Sequence, residues 1–206
     1  MKVSIITVTY NSADTLQDCI DSVANQSYKN IEHIVIDGNS KDDTLEIIQN
    51  NTSVSRYISE PDNGLYDAMN KGLKLASGDV IGILNSDDIY VNKDVISDVV
   101  NALGRYEALY TDLCYVDPHD TNLVRRYWKS GGYNRNSFKY GWMPPHPTLF
   151  LKREVYEKHG DFNLELKSAA DYELMLRFLY KEGVEAVYLP KITVKMREGG
   201  VSNQSL

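Results

Sequence analysis

Cysteine is almost missing: Cys19 and Cys114 are the two among 206 residues. They lie far apart at no metal-ligand spacing. That excludes a disulfide-stapled secreted scaffold and a thiolate metal site, and reads as reduced core thiols in a cytosolic protein. Long apolar runs are missing too. No stretch of about 18 apolar residues occurs, and the run after Met1-Lys2 is too short for a secretory leader. Positive charge is scarce, with 22 Lys+Arg against 29 Asp+Glu and a formal net charge of -7. An acidic surface repels phosphodiester backbones and anionic headgroups. A general nucleic-acid binder is excluded, and membrane association is limited to peripheral contact through a partner protein or a patch at Arg125, Arg126 and Lys129. Repeats, low-complexity tracts and a clean linker are also absent. With 42% hydrophobic and 25% charged residues, the chain is ordinary globular protein rather than disordered, collagenous or coiled-coil. Its length fits one domain. Tyrosine, by contrast, is abundant at 15 residues. Its flat apolar face and polar tip suit bases and sugars as well as cores.

The first 110 residues alternate strand and helix patterns. Val3 to Val8 is a β-branched run and reads as a buried strand. Residues 14–25 place Leu16, Cys19, Ile20 and Val23 on one helical stripe. Ile31 to Ile36 is a second strand, stopped by Asp37-Gly38-Asn39-Ser40. A helix around Leu45, Ile47 and Ile48 follows, capped by Asp42 or Asp43. Tyr57-Ile58 is a short strand. Gly64-Leu65 opens a helix through Leu75, closed by Gly78. Val80 to Leu84 has no polar face, as inside a parallel sheet, and residues 93–103 form another helix. This order predicts an α/β fold with a doubly wound, mostly parallel sheet. Such sheets bind ligands beyond the carboxyl ends of their strands. Those ends carry Thr9-Tyr10-Asn11, Asp37-Gly38, Glu60 and Asn85-Ser86-Asp87-Asp88. The second half differs. Residues 107–130 read as an antiparallel hairpin turning at Asp117-Pro118-His119-Asp120, a small element appended to the parallel half. Residues 131–147 are a long aromatic connection. Helices over 152–159 and 169–182 and strands over 185–190 and 192–197 complete the chain.

Asn85-Ser86-Asp87-Asp88 directly follows an apolar strand. Adjacent carboxylates repel unless a cation or hydrogen-bond donors share the charge. Hard carboxylate oxygens suit Mg²⁺ or Mn²⁺. Side chains of neighbouring residues diverge, so Asp88 can face a metal while Asp87 faces a ribose. The plainer alternative is a helix cap, although Asn92 or Asp94 already supplies one. Asp37 can accept from a ribose or base, or simply close an Asx turn. Gly64 at a helix start lets backbone amides approach an anion, with Lys71 nearby; an amphipathic helix with a solvated lysine explains the same residues. Asp171 can be a general base at a helix start, or the partner of Ser168 in a capping box. In Trp142-Met143-Pro144-Pro145-His146-Pro147, the prolines display Trp142 and His146, either as a sugar platform or as a packed rigid loop.

Val3 to Asn11 (VSIITVTYN), Asp37 to Thr44 (DGNSKDDT), Asp62 to Gly72 (DNGLYDAMNKG), Ser77 to Asp88 (SGDVIGILNSDD) and Ala170-Asp171-Tyr172-Glu173 stand in the order seen in family-2 glycosyltransferases. The chain resembles these inverting enzymes over roughly residues 2 to 203, particularly short bacterial members that build surface polysaccharides. The resemblance implies the A-type glycosyltransferase fold in one domain, with residues 1–110 binding the nucleotide sugar and 111–206 carrying the acceptor site and base. It implies that Thr7, Thr9, Tyr10, Asn11, Asp37, Gly64, Lys71 and Asp87 bind the nucleotide sugar. Asp88 holds Mn²⁺ or Mg²⁺, and Asp171 is the general base. Trp142, His146 and Arg197 belong to the acceptor side or to a closing segment, Arg197 to Ser202. The family commonly has Asp where this chain has Asn85. Many relatives continue with further helices past the position of Leu206. The implied donor is a nucleoside-diphosphate sugar, UDP being the family's commonest choice. The implied acceptor is a glycan or lipid-linked glycan, at the inner face of the cytoplasmic membrane.

Three other readings compete. A sugar nucleotidyltransferase needs a Gly-rich, Arg-containing loop where this chain has Thr9-Tyr10-Asn11-Ser12. A phosphatase with an aspartyl nucleophile needs Asp at the end of the first strand. A non-catalytic sugar-nucleotide or glycan binder has no need of Asp87, Asp88 and Asp171 together.

Overall fold

Strand β1 (Val3–Thr9) is buried along its whole length, and it forms the centre of the parallel half. With β2 (Ile31–Asp37), β3 (Arg56–Ser59) and β4 (Val80–Ile83) it makes the order β3-β2-β1-β4. The computed structural model describes residues 1–199. Parallel register pairs Thr9 with Asp37 and Asp37 with Ser59. The polar strand ends therefore fall in one row along the carboxyl edge.

Helices α1 (Leu16–Ala24), α2 (Thr44–Asn50), α3 (Leu65–Leu75) and α4 (Val95–Leu103) connect these strands and lead on from them. The buried side of α1 is Leu16, Cys19, Ile20 and Val23, the stripe read from spacing. Asp42 supplies the first-turn bond of α2, accepting from the Thr44 amide at 3.1 Å. Helix α3 lies tight on β1: a Cβ at Gly72 would stand 2.4 Å from Ile6 Cγ2. A larger residue there would lift the helix off the sheet. The helix ends at Ala76 rather than Gly78. Gly78 instead donates its amide to Ser4 Oγ at 2.9 Å.

At the amino ends of the strands, the buried Glu32 carboxylate gathers Ser4 Oγ, the Ser77 amide and hydroxyl, and Lys2 Nζ. Burial opposes its charge, but these donors outweigh it and hold the carboxyl at about 2.

The second half extends the same sheet with β5 (Ile89–Tyr90), β6 (Ala108–Val116), β7 (Val124–Trp128), β8 (Phe150–Lys152) and β9 (Ala186–Arg197). The expected hairpin is β6 with β7, antiparallel, and Asp117 caps its turn by accepting from the His119 and Asp120 amides. Strand β8 joins the halves, antiparallel to both β4 and β6. Strands β5 and β8 are two and three residues long, too short to carry a periodicity. The two strands expected over 185–197 are one strand, β9, parallel to β6. Its register steps from Tyr188 opposite Tyr110 to Ile192 opposite Asp112. Pro190 sits in that step, where its missing N–H breaks the ladder.

Helix α5 (Arg153–His159) matches its pattern. The single helix expected over 169–182 is α6 (Ala170–Met175) followed by a wider π turn over Leu176–Lys181. The Ser168 capping box does not form, because Ala169 precedes the helix and no side chain caps it. One sheet face packs on α3, α5 and α6 through Ile6, Ile34, Met69, Tyr156 and Leu174. The other packs on α1 and α4 through Ile5, Cys19, Val23, Ile96 and Val99. Helices on both faces leave the carboxyl edge as the open side.

Candidate active site

A cleft of about 410 Å³ opens at that edge. Its walls are Thr9, Tyr10 and Ser12 after β1, Gly64 and Leu65 at α3, Asn85, Ser86 and Asp87 after β4, and Met196 at the end of β9. The first wall turns sharply because Asn11 adopts φ +49°, a left-handed conformation that asparagine tolerates. The Asn11 amide donates to Ser40 Oγ, and its side chain accepts from the Lys41 amide, both at 2.8 Å. The loops after β1 and β2 are thereby tied together. Tyr10 is 61% exposed, so its ring is available for stacking. The Thr9 hydroxyl is buried with no partner among the described residues.

Asp87 and Asp88 follow β4. Asp88 is fully buried; its Oδ2 accepts from Asn85 Nδ2 at 3.1 Å, while its Oδ1 has no partner among the described residues. Asn85 Oδ1 is buried and also without a partner among them. Burial pushes both carboxyls above the usual range, and for Asp88 the charge of Asp87 adds to it, with Arg197 opposing in both cases. Among the described residues no three His, Cys, Asp or Glu side chains group to hold a metal. Asp88 with the Asn85 oxygen is nevertheless a hard-oxygen set short of positive charge, which fits a divalent cation whose remaining ligands come from a bound phosphate and water.

Arg197 is buried at the end of β9 and clamps this loop, donating to the Asp87 carbonyl at 2.8 Å, to the Pro118 carbonyl and to Asp18. Here its guanidinium supports that loop and does not line the open cleft. The rest of the expected closing segment, residues 200–202, lies outside the described residues.

Asp171 stands in the first turn of α6. Its Oδ1 accepts from the Tyr172 amide at 2.8 Å and from the Tyr66 hydroxyl at 3.0 Å. Tyr66 follows the cleft-lining Leu65 in α3, but neither Tyr66 nor Asp171 itself lines the cleft. His146 is buried with its ring edge-on to Phe162, 5.5 Å away. Burial lowers its pKa and Asp171 opposes that.

Several expected site residues sit elsewhere. Thr7 is fully buried and bonds His33 Nε2 at 3.0 Å, so it belongs to the core rather than the cleft. Asp37 is fully buried too, its carboxylate serving the Ser40 amide and hydroxyl and the Ser59 hydroxyl. It shapes the loop beside the cleft. The Gly64 amide is taken by Asp62 at 2.9 Å and is not open to an anion, although Gly64 itself lines the cleft at φ +109°. Lys71 turns away to Glu60 and the Pro61 carbonyl, both at 2.9 Å. Trp142 packs against Tyr110, Tyr133 and Phe138 and donates its indole N–H to the Ser130 carbonyl at 2.8 Å. Sequence reasoning missed Tyr66, Ser12 and Met196. Tyr66 stood inside the quoted GLYDAMNKG stretch, but nothing local marks a tyrosine whose partner is 105 residues away.

Fold and site together define a protein of the A-type glycosyltransferase fold. S. aureus TarS residues 1–349, solved with UDP-GlcNAc, superposes at TM-score 0.84 with 22% identity, over all of this chain and 61% of that one. The mannosyltransferase PcManGT of Pyrobaculum calidifontis, solved with GDP-Man and Mn²⁺, gives 0.72 at 20% identity, over 93% and 56%. The chain belongs to glycosyl transferase family 2, whose model matches residues 4–163. It is 35% identical over 178 residues to an uncharacterised glycosyltransferase of Mycobacterium tuberculosis, covering 85% of this chain and 68% of that protein. It is 31% identical over 205 residues to a PGL/p-HBAD biosynthesis glycosyltransferase of Mycobacterium bovis, covering 97% and 78%. Among the described residues no helix is long and apolar enough to cross a membrane.

Proposed function

We propose that this chain is an inverting glycosyltransferase. It moves a hexosyl or N-acetylhexosaminyl group from a UDP-sugar to a hydroxyl of a glycan or lipid-linked acceptor in surface polysaccharide synthesis, working at the inner face of the cytoplasmic membrane. The observation that carries the reading is the buried Asp88 oxygen without a partner among the described residues, placed behind a cleft at the carboxyl ends of a parallel sheet. Fold neighbours solved with UDP-GlcNAc and with GDP-Man support it.

In this reading Thr9 and Tyr10 receive the base and ribose, and Asp87 approaches the ribose. Asp88, with Asn85 beside it, is the residue that would hold Mn²⁺ or Mg²⁺; when bound, such an ion supplies the positive charge that makes a nucleoside diphosphate a better leaving group. Asp171 accepts the proton of the acceptor hydroxyl as its oxygen attacks the anomeric carbon opposite the diphosphate. The C–O bond to the diphosphate breaks as the new one forms, and the configuration inverts. Arg197 holds the Asp87-Asp88 loop in place.

Calorimetric titration of UDP, GDP and dTDP, each with and without Mn²⁺, tests the reading. UDP binding that requires Mn²⁺ is the expected result. No binding of any of the three would leave family ancestry without the activity, in a non-catalytic glycan binder.

A further inference from the structure

Tyr66 is half-buried in the first turn of α3, the helix that borders the cleft. Its ring stacks on Phe162 with centroids 5.5 Å apart and planes at 23°. Phe162 is itself gripped from α3, where Asn70 Nδ2 donates to its carbonyl at 2.9 Å and its amide donates to Asn70 Oδ1 at 3.0 Å. The Tyr66 hydroxyl is thus fixed in direction, and it donates to Asp171 Oδ1. Oδ1 also takes the Tyr172 amide, whereas no donor among the described residues reaches Oδ2. The terminal torsion of an aspartate is broad and weakly held. Two donors on one oxygen remove that freedom and leave the other oxygen open. Burial, and then the Asp171 charge, push the Tyr66 phenol up to about 12, so it stays a donor at neutral pH.

We infer that Tyr66 is the positioning residue for the general base: it holds Asp171 Oδ1 so that Oδ2 meets the acceptor hydroxyl, and it ties that orientation to the helix beside the donor cleft. The inference rests on Asp171 being the base, as proposed above. The titratable groups facing Asp171 are the Tyr66 hydroxyl from α3 and the His146 imidazole from the segment before β8. His146 faces the carboxylate without a hydrogen bond to it, so the orientation falls to Tyr66.

Tyr66→Phe removes the hydroxyl and keeps the stacked ring. The assay is nucleoside diphosphate release from UDP-GlcNAc, GDP-mannose or dTDP-glucose, whichever the wild type consumes. The variant is expected to keep donor KM within about twofold and to lose about tenfold in kcat. A residue that merely staples α3 to α6 would lower Tm and leave the kcat of the folded enzyme in place. An independent readout is the ¹³Cζ resonance of Tyr66, assigned by its loss in Tyr66→Phe. It should move in Asp171→Ala and stay put in Asp94→Ala. If Tyr66→Phe fails to fold, assignment through Tyr66→His keeps that measurement decisive. A wild-type chain that consumes none of the donors defeats the proposed function. An active wild type with Tyr66→Phe unchanged in kcat, or a Tyr66 resonance blind to Asp171, overturns this inference alone.

Discussion

The two ends of the parallel sheet hold the same chemical group in opposite states. At the amino end, the Glu32 carboxylate is buried and meets hydrogen-bond donors from Lys2, Ser4 and Ser77. At the carboxyl end, Asp88 is buried more deeply, yet one of its oxygens meets no partner among the described residues. Burial costs free energy in both cases. At Glu32 the protein itself compensates that cost, and the result is a bolt across β1, β2 and the approach to β4. At Asp88 the described residues leave that cost partly uncompensated, and in the proposed function a bound cation would meet it. A buried carboxylate with all its partners reads as stability, and one lacking a partner reads as a site.

The largest test of this contrast concerns a third carboxylate. Asp171→Asn should lower turnover by about 10² to 10⁴, the usual share of a general base. Nucleotide affinity should be unchanged by calorimetry. Near-normal turnover would return Asp171 to a purely local role at the start of α6.

Next in size is Glu32→Gln, which should cost about 2 kcal/mol in urea denaturation at neutral pH by weakening charge-assisted bonds. The folded-state value of Glu32 lies at about 2, below the ordinary 4.5. Its contribution is therefore complete above that ordinary value and is lost as pH falls through about 2. The variant should show a flatter decline across this window. An equal decline in both proteins would remove Glu32 from the acid sensitivity.

Smallest, and opposite in sign, is Asp88→Asn. The folded-state pKa of Asp88 is raised, so its ionised form costs stability once pH exceeds the ordinary value of 3.8. The variant should gain about 1 kcal/mol at neutral pH and lose any rise in Tm on adding Mn²⁺. Destabilisation by Asp88→Asn would break the comparison, placing Asp88 with Glu32 as a structural carboxylate.

Local pattern made most of the parallel half readable. The stripe of α1, the apolar run of β4 and the turn after β2 each declare themselves within a few residues. Asp87, Asp88 and Asp171 stood out as candidates, because carboxylates at a strand end or helix start differ from their neighbours. The elements that escaped are those whose cause lies at a distance. Strand β8 is three residues long and exists because β4 and β6 both pair with it. Strand β9 is continuous because β6 holds it on either side of the Pro190 step.

By itself the sequence determined the α/β class, the succession of strands and helices along the first half and which three carboxylates the proposed chemistry would use. Those follow from periodicity and turn residues, which are short-range. Tertiary structure alone decided which polar residues the cleft receives. Thr7, Asp37 and Lys71 look like Thr9, Asp87 and any free lysine along the chain, but His33, Ser59 and Glu60 claim them in space. It alone decided that Tyr66 meets Asp171. A hydrogen bond between residues 105 apart depends on two helices packing on the same face of one sheet, and no local spacing encodes it.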